Sequence, residues 1–135
     1  MTVTELTKDI YAKYTKVWDM FIMDYLPEFE YNTNLTFYPD NGLSVNNQGI
    51  KVVLPFSMLY GLLEDFFDKH DIFLHYELHP CGFIGGVYTN YRDVYNHMNY
   101  EKRKYYNVSE KSCFSMDEAK YQAILKACEI LERRL

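Results

Sequence analysis

A chain of 135 residues is the length of one ordinary domain and can bury a core without disulfide or metal staples. Its net charge of -5 argues against a general binder of nucleic acid or of anionic membranes, because phosphate docking needs a basic field over the contact face. The three cysteines, Cys81, Cys113 and Cys128, follow neither a disulfide framework nor a zinc-knuckle spacing, so reduced thiols in a cytoplasm are expected.

Along the chain, Leu6, Ile10, Tyr14, Val17, Trp18, Phe21 and Tyr25 keep helical spacing, which predicts a first helix over residues 4–26. Thr2 and Glu5 form a capping box at its start, and Pro27 is expected to end it at Leu26. Glu28 to Asn34 reads as a polar and aromatic connection. The turn signals Pro39-Asp40-Asn41-Gly42 and Asn46-Asn47-Gln48-Gly49 then divide Leu35 to Val53 into a meander of three short strands. Leu35, Phe37, Leu43, Val45, Ile50, Val52 and Leu54 are expected to share one buried face. Pro55 closes the third strand, with Ser57 as N-cap of the next helix.

Ser57 to Thr89 organises the chain, because its period changes from that of a helix to that of a strand within about two residues. Met58, Leu59, Leu62, Leu63, Phe66 and Phe67 form one helical stripe, with Glu64, Asp65, Asp68 and Lys69 opposite. From Ile72 the period is two. Ile72, Leu74, Tyr76 and Leu78 point one way, and Phe73, His75, Glu77 and His79 the other. Pro80-Cys81-Gly82 turns the chain into a returning strand, Phe83 to Tyr88, inside which Gly85-Gly86 marks a bulge or close packing rather than a phosphate cradle.

After Thr89 no period persists, and a long loop is expected at about 90–111. A short strand, Ser112-Cys113-Phe114, is expected before the last helix. That helix has the clearest boundaries. Ser115 and Glu118 make a second capping box, Asp117 and Glu118 suit the positive first turn, and Arg133 and Arg134 suit the negative last turn. Ala119, Ala123 and Ala127 give it a smooth edge for close packing on a sheet, beside Ile124, Cys128 and Leu131.

These elements predict a single α+β domain over residues 1–135. An antiparallel-rich sheet of five to six strands is covered by three helices, in the order α-β-β-β-α-β-β-(β)-α.

Two constellations could carry function. His75, Glu77 and His79 alternate on one strand face, and two imidazoles with a carboxylate suit a divalent transition metal, which would make the chain a metal-dependent enzyme. Alternation alone also places polar residues on a solvated strand face. The second is the aromatic and basic stretch of Tyr91, Arg92, Tyr95, Tyr100, Arg103, Tyr105 and Tyr106, whose residue types are enriched at protein-protein hot spots. From Asn90 to Lys111 the basic excess is two, too small for a phosphate track, so a protein partner or self-association is expected before nucleic acid.

The order from Ser57 to Leu135 resembles the topology of a double-stranded-RNA-binding domain, and Phe114-Ser115-Met116-Asp117-Glu118-Ala119-Lys120 looks like the start of that family's second helix. That resemblance implies lysines gripping phosphates at this point. Only Lys120 is present, behind Asp117 and Glu118, which reverses the local field. Phe114 to Leu135, a strand leading through a Ser-x-x-Glu-Ala cap into an alanine-rich helix, is similar to small uncharacterised proteins of gut-bacterial phages and prophages. This implies an accessory role and no particular chemistry. The expectation is therefore a cytoplasmic protein-binding accessory module with no membrane segment, acting through the tyrosine-rich loop or a sheet face, with a metal-dependent enzyme or a nucleic-acid-contacting protein as the alternatives.

Overall fold

The computed structural model describes residues 2–39, 42–90, 104–108 and 115–135. The fold is α+β, with two three-stranded antiparallel sheets. Contacts group the chain into two compact units, Met1–Leu62 with Leu135, and Leu63–Arg134.

In the first unit, α1 (Val3–Lys13) starts at Thr2, whose hydroxyl accepts from the Glu5 amide at 3.1 Å, as the capping box requires. The expected single helix is broken at Tyr14, where φ is -131° and ψ is 58°. Tyr14 ends α1 and opens α2 (Thr15–Met20), because its carbonyl accepts from the Trp18 amide at 3.0 Å. A π-helical turn, Phe21–Tyr25, then joins α2 to α3 (Leu26–Thr33).

Pro27 therefore does not end the helix, and Glu28 to Asn34 is not a simple connection. A mid-helix proline ring collides with the carbonyl four residues back, here that of Met23. The π-turn displaces the carbonyl ladder at that residue, with the Leu26 amide donating to Phe21 instead of to residue 22. Pro27 then falls in the first turn of a restarted helix, where its missing N–H costs little. Asn34, left-handed at φ 60°, ends α3.

β1 (Phe37–Tyr38), β2 (Ser44–Asn47) and β3 (Ile50–Val53) form the first sheet, in the register Phe37↔Val45↔Val52. The Asn47–Ile50 turn holds Gln48 at φ 52° and Gly49 at φ 83°, both positive as this hairpin class needs. Phe37, Leu43, Val45 and Leu54 are buried, as the alternation predicts. Ile50 and Val52 are not. They lie on β3 at 67% and 39% exposure, and all four residues of that strand are exposed, so the expected buried face is interrupted there.

α4 (Phe56–Asp68) starts one residue earlier than Ser57. The carbonyl of Pro55 accepts from the amides of Met58 and Leu59, and Ser57 is an exposed position within the first turn rather than the N-cap. Leu59, Leu62, Leu63, Phe66 and Phe67 are buried, as their spacing predicts.

In the second unit, β4 (Ile72–His79) and β5 (Gly82–Thr89) pair along their whole length, from Ile72↔Thr89 to His79↔Gly82. The predicted hairpin is present. β6 (Lys104–Asn107) adds to β5 within the stretch expected to be loop, and Tyr105 and Tyr106 are therefore strand residues. The proposed strand at Ser112 to Phe114 lies outside the described residues.

α5 (Met116–Arg134) has the predicted cap, the Glu118 amide donating to the Ser115 hydroxyl at 3.2 Å. Ala119, Ala123 and Ala127 are fully buried on its smooth edge. Cys128 is equally buried, and desolvation pushes its thiol far above the ordinary cysteine value, so it behaves as a small apolar side chain. The fit of α5 to the sheet is close at Gly85, where a Cβ would collide with the carbonyl of Ala119. Tyr76 and Leu78 share the helix-facing side with Ile72 and Leu74, yet are 38% and 72% exposed. Ala119, in the first turn of α5, already sits at the Tyr76–Gly85 row, and the hairpin runs on past it.

Two glycines offer opposite tests. Gly85→Ala is expected to lower unfolding stability by at least about 2 kcal/mol, because the obstacle is helix backbone rather than a flexible side chain. Gly61→Ala, at an exposed helical site with nothing in the way, is expected to raise it by about 0.5–1 kcal/mol. Urea denaturation of both variants checks this, and a Gly85→Ala protein as stable as the parent contradicts the close helix approach.

Candidate functional site

The face of β4, β5 and β6 turned away from Gly85 carries the second unit's chemistry. Strand alternation puts Phe73, His75, Glu77 and His79 of β4 on it, as the spacing predicts. The register adds Ile84, Gly86 and Tyr88 from β5, then Tyr105 and Asn107 from β6.

Gly86 is the floor of this face. A Cβ there would run into the phenol ring of Tyr105, so that ring lies across the glycine. Tyr105 and Tyr88 are direct cross-strand partners with ring centroids 4.5 Å apart. His75, opposite Gly86, stands edge-on to both rings, at 5.3 Å from Tyr88 and 5.8 Å from Tyr105. The three rings form one packed cluster that remains partly open to solvent, Tyr105 being 39% exposed.

Beside it lies the row of polar groups. Glu77 Oε1 is 3.0 Å from His79 Nε2, and Glu77 Oε2 is 3.8 Å from His75 Nε2. The close approach of His79 is the main reason that the Glu77 carboxyl is held below its ordinary value, with smaller help from His75. Partial burial raises the Tyr105 phenol, and the neighbouring Glu77 and Tyr88 raise it further, so Tyr105 stays a neutral donor at physiological pH.

The arrangement differs from a three-ligand metal site. Residues four apart on a strand are separated by about 13 Å of backbone, so His75 and His79 reach Glu77 from opposite ends instead of meeting each other. Among the described residues no group of three His, Cys, Asp or Glu side chains is close enough to hold one ion. The row is a carboxylate bracketed by two imidazoles.

Of the aromatic and basic set read from the sequence, Tyr91, Arg92, Tyr95, Tyr100 and Arg103 lie outside the described residues. Tyr105 joins the ring cluster. Tyr106 faces the other way, across from Val87, where Lys126 Nζ of α5 lies 5.3 Å from its ring centroid. Phe73, Ile84, Gly86 and Asn107 are the members of this face that residue patterns alone did not single out as part of a site. The available signal was the register of β5, since alternation backward from Thr89 sets Tyr88 and Gly86 on the side of His75.

No protein-family model, no curated protein and no solved structure matches this chain. Among the described residues no helix is long and apolar enough to cross a membrane.

The Glu77 contacts carry a pH signature. A carboxyl whose folded pKa is depressed contributes stability above its unfolded value, near 4.5, and loses it as pH falls through the folded value. Thermal midpoints of the parent and Glu77→Gln are therefore expected to differ at about pH 6 and to converge towards about pH 3. A constant difference across that range contradicts the bracketed-carboxylate geometry.

Proposed function

We propose that this chain is a small accessory module of the phage or prophage kind that acts by contacting another protein, and that the outer face of β4, β5 and β6 is its contact surface. The observation that carries this reading is the packed but half-open cluster of His75, Tyr88 and Tyr105 around Gly86. Rigid aromatic side chains lose little rotamer freedom on binding and present both an apolar face and a polar tip, so they anchor protein interfaces well. Here the rings are ordered by one another before any partner arrives, which lowers the entropic cost of docking. Glu77 and His79 supply a polar rim beside the rings. The chain's net charge of -5 supports a protein partner over nucleic acid.

An affinity pull-down of tagged protein from bacterial host lysate, with and without nuclease, tests this reading against a Tyr88→Ala, Tyr105→Ala variant whose fold is checked by circular dichroism. A stoichiometric protein that survives nuclease and is lost at least about tenfold in the variant is expected. Light scattering of the purified protein covers the case in which the partner is a second copy. Capture unchanged by the variant, or capture abolished by nuclease, overturns the assignment of this face.

A further inference from the structure

The first unit holds a separate feature that a protein-contact role does not use. Thr7, Lys8 and Tyr11 of α1, Trp18 of α2, and Pro39 and Gly42 from the β1–β2 connection line a cleft of about 300 Å³. That volume is at the low end for small-molecule sites and accommodates a single ring rather than a nucleotide.

Its walls are built and chemically distinct. Trp18 is buried, and its ring is held at the head of a series of aromatic contacts. It meets Phe21 at 5.8 Å, Phe21 meets Tyr25 at 5.5 Å, Tyr25 meets Phe29 at 6.1 Å, and Phe29 meets Phe37 of β1 at 6.0 Å. The π-turn Phe21–Tyr25 lies within this series, directly after α2, and such turns recur at functional sites because the inserted residue re-aims a helix face. Tyr11 is 59% exposed and gives the cleft a second aromatic wall. The Gly42 backbone approaches α1 closely enough that a Cβ would sit 3.3 Å from Thr7 Oγ1, which fixes the third wall.

Lys8 is the one charged group in the described lining, and it makes no ion pair with a described residue. Glu5 lies one turn before Lys8, about 60° around the helix, and Asp9 about 100° from it, but neither is in the described lining and neither pairs with Lys8. Tyr11 lies about 40° around the helix from Thr7, on the cleft side. Thr7 already donates its hydroxyl to the Thr4 carbonyl at 3.0 Å, so Lys8 and the Tyr11 phenol are the groups in the lining suited to an anion.

We infer that this cleft binds a small aromatic carboxylate, its ring set between Trp18, Tyr11 and Pro39 and its carboxylate on Lys8. Trp18 is the single tryptophan of the chain, so its emission reports on the cleft directly.

Titration of the full chain with benzoate, followed by tryptophan emission and in parallel by ligand-observed NMR, tests the inference. Saturable binding that shifts the Trp18 emission is expected, weakened at least about tenfold in Lys8→Met and at least about tenfold for benzyl alcohol, which has the ring without the charge. Lys8 is exposed, so the variant is expected to fold as the parent does. Any of three results overturns it: no saturable binding up to about 10 mM, binding that leaves Trp18 emission unmoved, or equal affinity for benzoate in the parent and in Lys8→Met.

Discussion

Two adjacent glycines thin the second sheet at one point, and both of its faces are built on that thinness. Gly85 gives up its side chain so that the backbone of α5 can settle at Ala119, and Gly86, one residue on and pointing the other way, gives up its side chain so that the Tyr105 ring can lie flat. The alanine edge of α5 and the ring cluster of the outer face are thus consequences of one dipeptide. Glycine normally weakens a strand, because it orders a flexible backbone and packs nothing. Here the packing returns from both sides, through buried Ala119, Ala123 and Ala127 on one and an aromatic ring on the other.

The charged groups of α5 follow from the same seating. With its alanines against the sheet, the helix turns Glu129 outward, where it pairs with Lys126 at 3.1 Å and Arg133 at 2.6 Å. These partly solvated i,i+3 and i,i+4 pairs add a few tenths of a kcal/mol each and do not set the fold. Lys120 and Lys126 lie over the rings of Tyr76 and Tyr106, so the sheet's inward tyrosines are capped by cations of the helix. The outward tyrosines, Tyr88 and Tyr105, cap each other.

The first unit solves a different problem, that of carrying a helix through a proline. The π-turn before Pro27 absorbs one residue and lets the helix restart. It also keeps Trp18, Phe21, Tyr25 and Phe29 in ring contact along the helix, where the plain helical stripe was expected to end at Leu26. A device that rescues the backbone thereby also positions the tryptophan that walls the cleft.

What the amino-acid sequence determined by itself is what depends on groups within about four residues of one another. The caps at Thr2 and Ser115, the positive-φ turn at Gln48-Gly49, the β4–β5 hairpin and the stripe from Leu59 to Phe67 are all of this kind, and so is the shared face of His75, Glu77 and His79. Tertiary structure alone decided matters that turn on partners far along the chain. Tyr105 and Tyr106 became opposite-facing strand residues only because β5 offered them a ladder, and no local period in their own segment announces a strand. Ile50 and Val52 alternate like buried residues, but all four residues of β3 are exposed, on both faces of the strand, so alternation there marks no buried side. Glycines in a strand state that something comes close. Whether that is a helix backbone, a tyrosine ring or both is a property of the packed sheet, because a missing side chain specifies a space and not its occupant.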